Sequence, residues 1–324
     1  MLEERLKKWA QARGYKVAIA GTGVIDLVKR KLEERRSRGM FDPGFYGERL
    51  SSFRFLEGVT VPGSSRIVMV AVPSPIQILP VTIGGRKVDT LIPPTYVRYN
   101  AMFKDVLDDM TENALGPGAA EILRAPLKAI AAHMGLVFYG RNNITYVPGL
   151  GSGHQLCGYV VGSEEASSEG PATGASAEKA LERCSTCRAC IKICPTGAIR
   201  EDRFLISAEK CFALLSESPK PIPAWARPPK SFCIIGCMDC QEICPENKGR
   251  LKTLPSGAEL SAVETEALIE AGRGLGVGSG SATAADGAHQ ASAAWRSAMN
   301  KLDALGLSED LRLIGRNLEY FLSI

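Results

Sequence analysis

Ten cysteines stand in this 324-residue chain, and all but Cys157 fall between Cys184 and Cys244. Thiols spaced this closely point to metal rather than to disulfides. The first group is Cys184-Ser-Thr-Cys187-Arg-Ala-Cys190-Ile-Lys-Ile-Cys194-Pro195. Its C-x2-C-x2-C-x3-C-P spacing is that of chains holding two [4Fe–4S] clusters. Three thiolates two residues apart let one tight loop wrap a cube, and the fourth, at the end of a short helical turn, points to the other cluster. Pro195 ends that turn and sets the exit direction. The second group, Cys237-Met-Asp-Cys240-Gln-Glu-Ile-Cys244-Pro245, repeats the C-x2-C-x3-C-P ending. By pseudo-twofold logic Cys244 crosses to the first cluster. One cluster is then expected on Cys184, Cys187, Cys190 and Cys244, and the other on Cys194, Cys237, Cys240 and one more thiol. A strict repeat would put that thiol at Ile234. Cys233 is one residue out of register, and Cys211 starts an expected helix; both remain candidates. A zinc site uses separated C-x2-C pairs and has no need of the paired C-x3-C-P endings. Cys157 reads as a buried thiol in a strand. The chemistry expected is electron transfer or reduction.

These loops need a frame. Apolar residues at Leu2, Leu6 and Trp9 predict an amphipathic helix over 2–13, stopped at Gly14. Val17–Ala20 reads as a buried strand, 24–38 as a helix, and Arg66–Val72 as the clearest core strand, stopped by Pro73 and Pro75. Residues 76–92 read as a hairpin around Gly84-Gly85. Helices are expected over 95–114 and 119–134, and strands over Ile144–Val147 and Leu156–Val161. The apolar spacing from Trp295 onward predicts two short helices packing back on the body. The fold class is α+β: an α/β unit over 1–162, a linker over 163–180, the double-cluster unit over 181–250, and a helical tail over 251–324. A flexible Gly/Ala/Ser insertion is expected near 271–294.

Composition excludes some classes. With 45% hydrophobic and 23% charged residues, the chain is that of an ordinary globular protein. No run of 18 apolar residues offers a membrane span, and the charged start Glu3-Glu4-Arg5 argues against a secretory signal. A cytoplasmic address and no membrane partner are expected. The formal net charge of +4 reads as a solvated surface, because no dense Lys/Arg run is interleaved with aromatics. Ala20-Gly21-Thr22-Gly23 has the look of a dinucleotide turn, but Asp26 stands where the third glycine should be, beside the expected pyrophosphate. His133, on the helix before Gly135, reads as a helix-surface histidine.

From Cys184 to Pro245 the sequence resembles the epoxyqueuosine reductase family, whose members carry CxxCxxCxxxCPTxAI and GCxxCQxxCP. The matching residues are Cys194-Pro-Thr-Gly-Ala-Ile199 and Gly236-Cys237-Met-Asp-Cys240-Gln241-Glu-Ile-Cys244-Pro245. The family has an isolated cysteine before a helix between these motifs, matched by Cys211-Phe-Ala-Leu-Leu, so the resemblance favours Cys211 over Cys233. A weaker likeness upstream aligns Ile130–Ile144, including Gly140-Arg141-Asn142, with the family's glycine-rich LAxxAGLGWxGKNxLL stretch. The resemblance covers about residues 90–250. It implies a cobalamin-type, nitroreductase-like N-terminal domain, electrons passing through two [4Fe–4S] clusters to cobalamin, and reduction of epoxyqueuosine in tRNA during queuosine biosynthesis. A ferredoxin or flavodoxin would be the electron donor, and tRNA a partner.

This chain departs from the family pattern in places. The family's catalytic Asp lies in a DxxPxxER stretch, matched here by Glu121-Ile-Leu-Arg124-Ala-Pro126-Leu-Lys128. Counting back from Gly135 puts Glu121 near the acid position, and Tyr139 is a second candidate proton donor. Arg141 and Asn142 are the candidate cobalamin or substrate contacts, Arg141 standing where the family has Lys. Family members often carry a C-terminal helical repeat domain; a full one is not expected in these 324 residues. Two alternatives stand beside this reading: an electron carrier with no catalytic site of its own, and a dehalogenase-like reductase of a small substrate.

Overall fold

The computed structural model describes residues 2–61, 63–163, 180–273 and 292–322. Most of the expected linker over 163–180 and of the Gly/Ala/Ser insertion near 271–294 lies outside them. The architecture is mixed α+β.

A four-stranded antiparallel sheet forms the first layer. Its strands are β1 (Lys16–Gly21), β2 (Ser64–Pro73), β5 (Ala120–Ile122) and β8 (His154–Ser163), in the order β1-β2-β8-β5. Period-two alternation along β2 decides what covers each face. Ile67, Met69 and Ala71 face α2 (Gly23–Ser37) and α5 (Leu127–His133). Val68, Val70 and Val72 face α1 (Leu2–Ala12) and α4 (Tyr99–Met110). A one-turn helix, α3 (Pro43–Phe45), follows α2. Because β1 runs antiparallel to β2, the Gly21–Gly23 turn has no parallel βαβ unit around it.

The expected helix over 119–134 is two elements instead. Residues 120–122 pair with β8 as β5, and the helix starts only at Leu127. Pro126 disfavours a helical conformation at Ala125, so the chain stays extended until the proline has passed. His133 is 7% exposed rather than on the helix surface.

A second core forms around the hairpin of β3 (Ile76–Ile83) and β4 (Arg86–Ile92). Leu79, Val81 and Ile92 pack there against α9 (Ala262–Arg273), α10 (Ala293–Ala304) and α11 (Leu311–Leu322). The short strand β9 (Thr253–Pro255) pairs parallel to β3 and ties the chain leaving the cysteine segment to this hairpin. The cysteine segment itself carries only short helices: α6 (Ala189–Ile193), α7 (Phe212–Glu217) and α8 (Asp239–Glu242). Two two-residue strands, β6 (Phe138–Tyr139) and β7 (Thr145–Tyr146), make a small hairpin beside it. No helix among the described residues is long and apolar enough to cross a membrane.

Helices α9 and α11 cross at glycines. A methyl on Gly315 would collide with the Leu268 carbonyl oxygen, and one on Gly272 would collide with the Arg316 amide. Elsewhere in a helix Gly→Ala stabilises by about 1 kcal/mol. Here the obstacle is backbone, which cannot swing aside. Gly315→Ala is therefore expected to destabilise by about 1–3 kcal/mol, read as a lower thermal-unfolding midpoint.

Candidate functional site

The two cysteine half-motifs fold alike. Arg188 (φ −123°, ψ 9°) precedes α6, and Met238 (φ −114°, ψ −7°) precedes α8. Each short helix ends at a cysteine that turns extended before a proline: Cys194 (φ −58°, ψ 117°) and Cys244 (φ −73°, ψ 124°). A residue before proline avoids the helical region, so the same dipeptide ends both helices in the same way. The helices α6 and α8 lie against each other.

The cysteines gather at two places. Cys184, Cys187, Cys190 and Cys244 line a small cavity with Gly140, Arg141 and Asn142. Cys194, Cys211, Cys237 and Cys240 line one end of a much larger cavity of about 1060 Å³. The sulfur of Cys211 sits at the first turn of α7, where the amides of Ala213 and Leu214 point at it. Cys233 is turned away. It is 1% exposed, packs with Ile76 and Met238, donates to the Ser231 hydroxyl at 3.8 Å, and has its thiol pushed up to about 12 by burial. Among the described residues no three His, Cys, Asp or Glu side chains converge on a single-ion site. Two quartets, each spread around a cavity, are the donor set a four-iron cube requires.

The turn at 140–146 ties the sheet layer to these loops. Arg141 donates to the Cys184 carbonyl at 2.7 and 3.2 Å and to the Glu201 carbonyl at 3.2 Å. Asn142, 4% exposed, donates to the Cys240 carbonyl at 3.2 Å and to the Tyr146 hydroxyl at 3.0 Å. Asn143 donates to the Phe204 carbonyl and accepts from the Ile206 amide. Gly140 admits this packing, because a Cβ there would lie 2.5 Å from Asn142 Oδ1 and 2.7 Å from the Tyr146 ring. A few residues on, the Asn247 side chain accepts from the Ser152 amide and donates to its hydroxyl, each at 2.8 Å. The expected role of Arg141 thus changes. It lies at the smaller cavity and grips the Cys184 loop, away from the larger one.

The walls of the large cavity are mostly apolar, with Phe53, Leu127, Leu156, Ile206 and Phe212 among them. Tyr139 stands on this wall, edge-on to Phe204 at 5.4 Å, and burial raises its pKa well above that of free tyrosine. Glu121 is not on the wall. Its carboxylate accepts from the amide and hydroxyl of Thr60 at 2.9 and 3.0 Å. Counting back from Gly135 puts Glu121 near the acid position, but its place in β5 leaves it off the cavity wall.

Sequence reasoning missed several wall residues. Lys128 projects into the cavity; its surface is open to the cavity interior, yet protein surrounds it, and that burial lowers its pKa. The Tyr96 hydroxyl donates to Glu217. His154, 4% exposed, lies between the Gly151 carbonyl on Nδ1 (3.1 Å) and the Thr145 hydroxyl on Nε2 (3.3 Å). Tyr96 and His154 stand in no recognisable motif, and Lys128 lies in the stretch matched to the family's acid-bearing motif but was given no role there; the walls' convergence marks all three.

Burial lowers the pKa of His154 to about 4, from 6.5. A histidine held neutral in the fold is protonated first in the unfolded chain. Its contribution is present above pH 6.5 and is lost as pH falls towards 4. Stability is expected to drop by about 2 kcal/mol between pH 7.5 and 5 from this group. Comparing chemical unfolding of the wild type with His154→Gln, which removes the titration, isolates that part of the pH dependence.

Comparisons with known proteins bear on these features. Residues 183–247 match the 4Fe-4S double cluster binding domain family. Epoxyqueuosine reductase of Escherichia coli K12 is 46% identical over 68 residues, which is 21% of this chain and 18% of that protein. The Staphylococcus aureus epoxyqueuosine reductase is 30% identical over 122 residues, covering 38% and 30%. These matches span only about a fifth to a third of the relatives' length. In three dimensions the likeness is longer. The Streptococcus thermophilus epoxyqueuosine reductase superposes over 98% of this chain and 80% of its own, with TM-score 0.57 and 15% identity. An epoxyqueuosine reductase solved with an epoxyqueuosine-modified tRNA-Tyr stem loop covers 98% and 90%, with TM-score 0.53 and 19% identity. At such identity these structures establish shared fold, while the cysteine segment carries the sequence kinship. The chain thus carries a double [4Fe–4S] cluster-binding domain, is similar in that segment to epoxyqueuosine reductases, and shares their fold over nearly its whole length.

Proposed function

We propose that this protein is a reductase that takes electrons in at one cluster and delivers them at the floor of the large cavity. The observation that carries this is the placement of Cys194, Cys211, Cys237 and Cys240 on the cavity wall itself. A carrier needs no such chamber beside its cluster. Cys184, Cys187, Cys190 and Cys244 would hold the outer cluster, and Cys194, Cys211, Cys237 and Cys240 the inner one. The site for an electron donor of ferredoxin or flavodoxin type then lies on the side of the smaller cavity.

A corrinoid fits what the cavity offers. At about 1060 Å³ it exceeds the roughly 300–1,000 Å³ of ordinary small-molecule sites. Its apolar walls suit a flat macrocycle, with Leu127, Leu156 and Phe212 among those that would pack on it. When bound, cobalamin would supply low-potential reduction of an epoxide-type substrate, and the clusters one-electron transfer. The residues of this chain do the rest. Arg141 and Asn142 hold the cysteine loops to the sheet layer, and so hold the inner quartet against the cavity. The apolar wall excludes water. The partly buried Tyr139 keeps its proton at neutral pH and stands ready to give it to an oxygen that gains negative charge. In the family's chemistry the substrate would be epoxyqueuosine in tRNA.

Two tests follow. The protein purified anaerobically with cobalamin supplied should hold about eight irons and one cobalt per chain. Eight irons without cobalt would leave the electron-carrier reading. Cys211→Ser should lose the inner cluster, leaving about four irons, while Cys233→Ser should keep all of them. The reverse pattern would displace Cys211 from the ligand set. With both cofactors loaded, Tyr139→Phe should lower turnover of an epoxyqueuosine-bearing tRNA stem loop by on the order of 10²-fold or more. Its cofactor content should stay unchanged.

A further inference from the structure

The charges on the wall of the large cavity do not balance. Three carboxylates line it, and each is already engaged. Glu217 accepts from the Tyr96 hydroxyl and pairs with Arg49 at 3.4 Å. Asp239, 3% exposed, accepts from the amides of Lys230 and Ser231 at 2.9 and 2.8 Å and from the Ser231 hydroxyl at 2.6 Å. Glu309 accepts from the Asn100 side chain at 3.2 Å. Two cations line the same wall, Arg124 and Lys128. Arg124 sits on the connector that follows β5 and Lys128 in the first turn of α5, on either side of Pro126. Their side chains have no hydrogen-bond or ion-pair partner among the described residues. Arg124 lies by the Tyr99 phenol; Lys128 lies by His154, with Glu217 and the thiols of Cys211 and Cys240 also near it, and Glu217 is already taken up by Tyr96 and Arg49.

Protein around Lys128 disfavours its ammonium form, and none of the acidic groups near it makes a hydrogen bond or ion pair with it among the described residues. Cys211 and Cys240 of the inner quartet, with Glu217, are the sources of negative charge near Lys128. They do not account for Arg124, which stands near the partly exposed Tyr99. A ligand that brings its own anion would satisfy both.

We propose that Arg124 and Lys128 form an oxyanion site in the cavity, binding a phosphate or carboxylate carried by the ligand that enters it. The proposal stands on the cavity's own charges and does not need the reductase reading to hold. The guanidinium offers a planar fork of donors and the ammonium a compact charge, a pairing that suits a tetrahedral or planar oxyanion. Two sources share this chemistry: the phosphodiester of a corrinoid's nucleotide loop, and an anionic group of the substrate itself.

The test begins with inorganic phosphate titrated into cluster-loaded protein free of corrinoid, followed by calorimetry at low ionic strength. Saturable binding is expected. Lys128→Met and Arg124→Gln should each weaken it on the order of tenfold, while Lys128→Arg should retain it. Iron content and the circular dichroism spectrum report whether each variant is intact. Should Lys128→Met lose iron, Arg124→Gln carries the test alone. Cobalamin and cobinamide, which lacks the phosphate-bearing loop, then separate the sources. If the variants weaken cobalamin but not cobinamide, the anion is the corrinoid's phosphate. If phosphate binding falls while both corrinoids bind as before, the site serves the substrate. No phosphate binding by the wild type, or binding unchanged in both Lys128→Met and Arg124→Gln, would overturn the proposal. So would a wild type that binds no phosphate while Lys128→Met shifts only the potential of the inner cluster, which would make Lys128 its counter-charge. Absence of cobalt would end the corrinoid mechanism without touching phosphate binding.

Discussion

The cysteine loops have little regular structure of their own, and side chains of the 140–146 turn hold them in place. Arg141 grips the carbonyl of Cys184 in one quartet, and Asn142 grips the carbonyl of Cys240 in the other. Each such hydrogen bond is worth only about 1 kcal/mol net. Their value lies in position. The partners are backbone atoms of cysteines, so a shift of the turn moves both quartets together. The buried Tyr146 closes the unit, its hydroxyl accepting from Asn142 and reaching the Cys244 thiol. That ties Cys244, the cysteine whose half-motif lies farthest along the chain, to the same turn.

The second constraint is that the segment must leave and return without splaying the fold. Leu91 on β4 forms an isolated bridge to Cys233, and β9 lies parallel to β3. The hairpin therefore receives the chain before and after the second half-motif. This explains why Cys233 sits where it does. Extended backbone sends successive side chains to opposite sides. Ile234 goes into the core beneath α9 and α11, and Cys233 goes to the apolar patch with Ile76 and Met238. Gly236, at φ 80°, then turns the chain past the ring of Tyr96, where a Cβ would lie 2.7 Å from the ring. Only beyond that turn do Cys237 and Cys240 reach the cavity.

The cavity joins an apolar chamber to a lopsided set of charges. Its acids are tied into the structure around it, while its two cations are free to meet a ligand. The stretch that in the family resemblance carries an acid here presents Leu123, Arg124 and Lys128. Leu123 is 2% exposed and belongs to the core under the sheet. Among the proton-bearing groups on the wall is the Tyr139 phenol, held against Phe204.

Much of the frame was legible because it is local. The alternation in β2, the spacing in α1, the Gly84-Gly85 hairpin and the paired cysteine-proline endings all follow from periodicity and from two residues with restricted backbones. The long helix expected over 119–134 failed at Pro126, where pairing of 120–122 with β8 outweighed local helical spacing. That one break moved Glu121 off the cavity and brought Arg124 and Lys128 onto it. By itself the sequence determined which residue types could hold iron and how each loop would turn, since spacing and proline act within a few residues. Spacing left Cys211 and Cys233 both open, and beyond the family likeness it took tertiary structure to bring Cys211 beside Cys194, Cys237 and Cys240, to set Arg141 on the cysteine loop, and to put on one wall two cations with no partner among the described residues. Those outcomes depend on segments tens of residues apart meeting in space, and no local rule of chain geometry encodes such meetings.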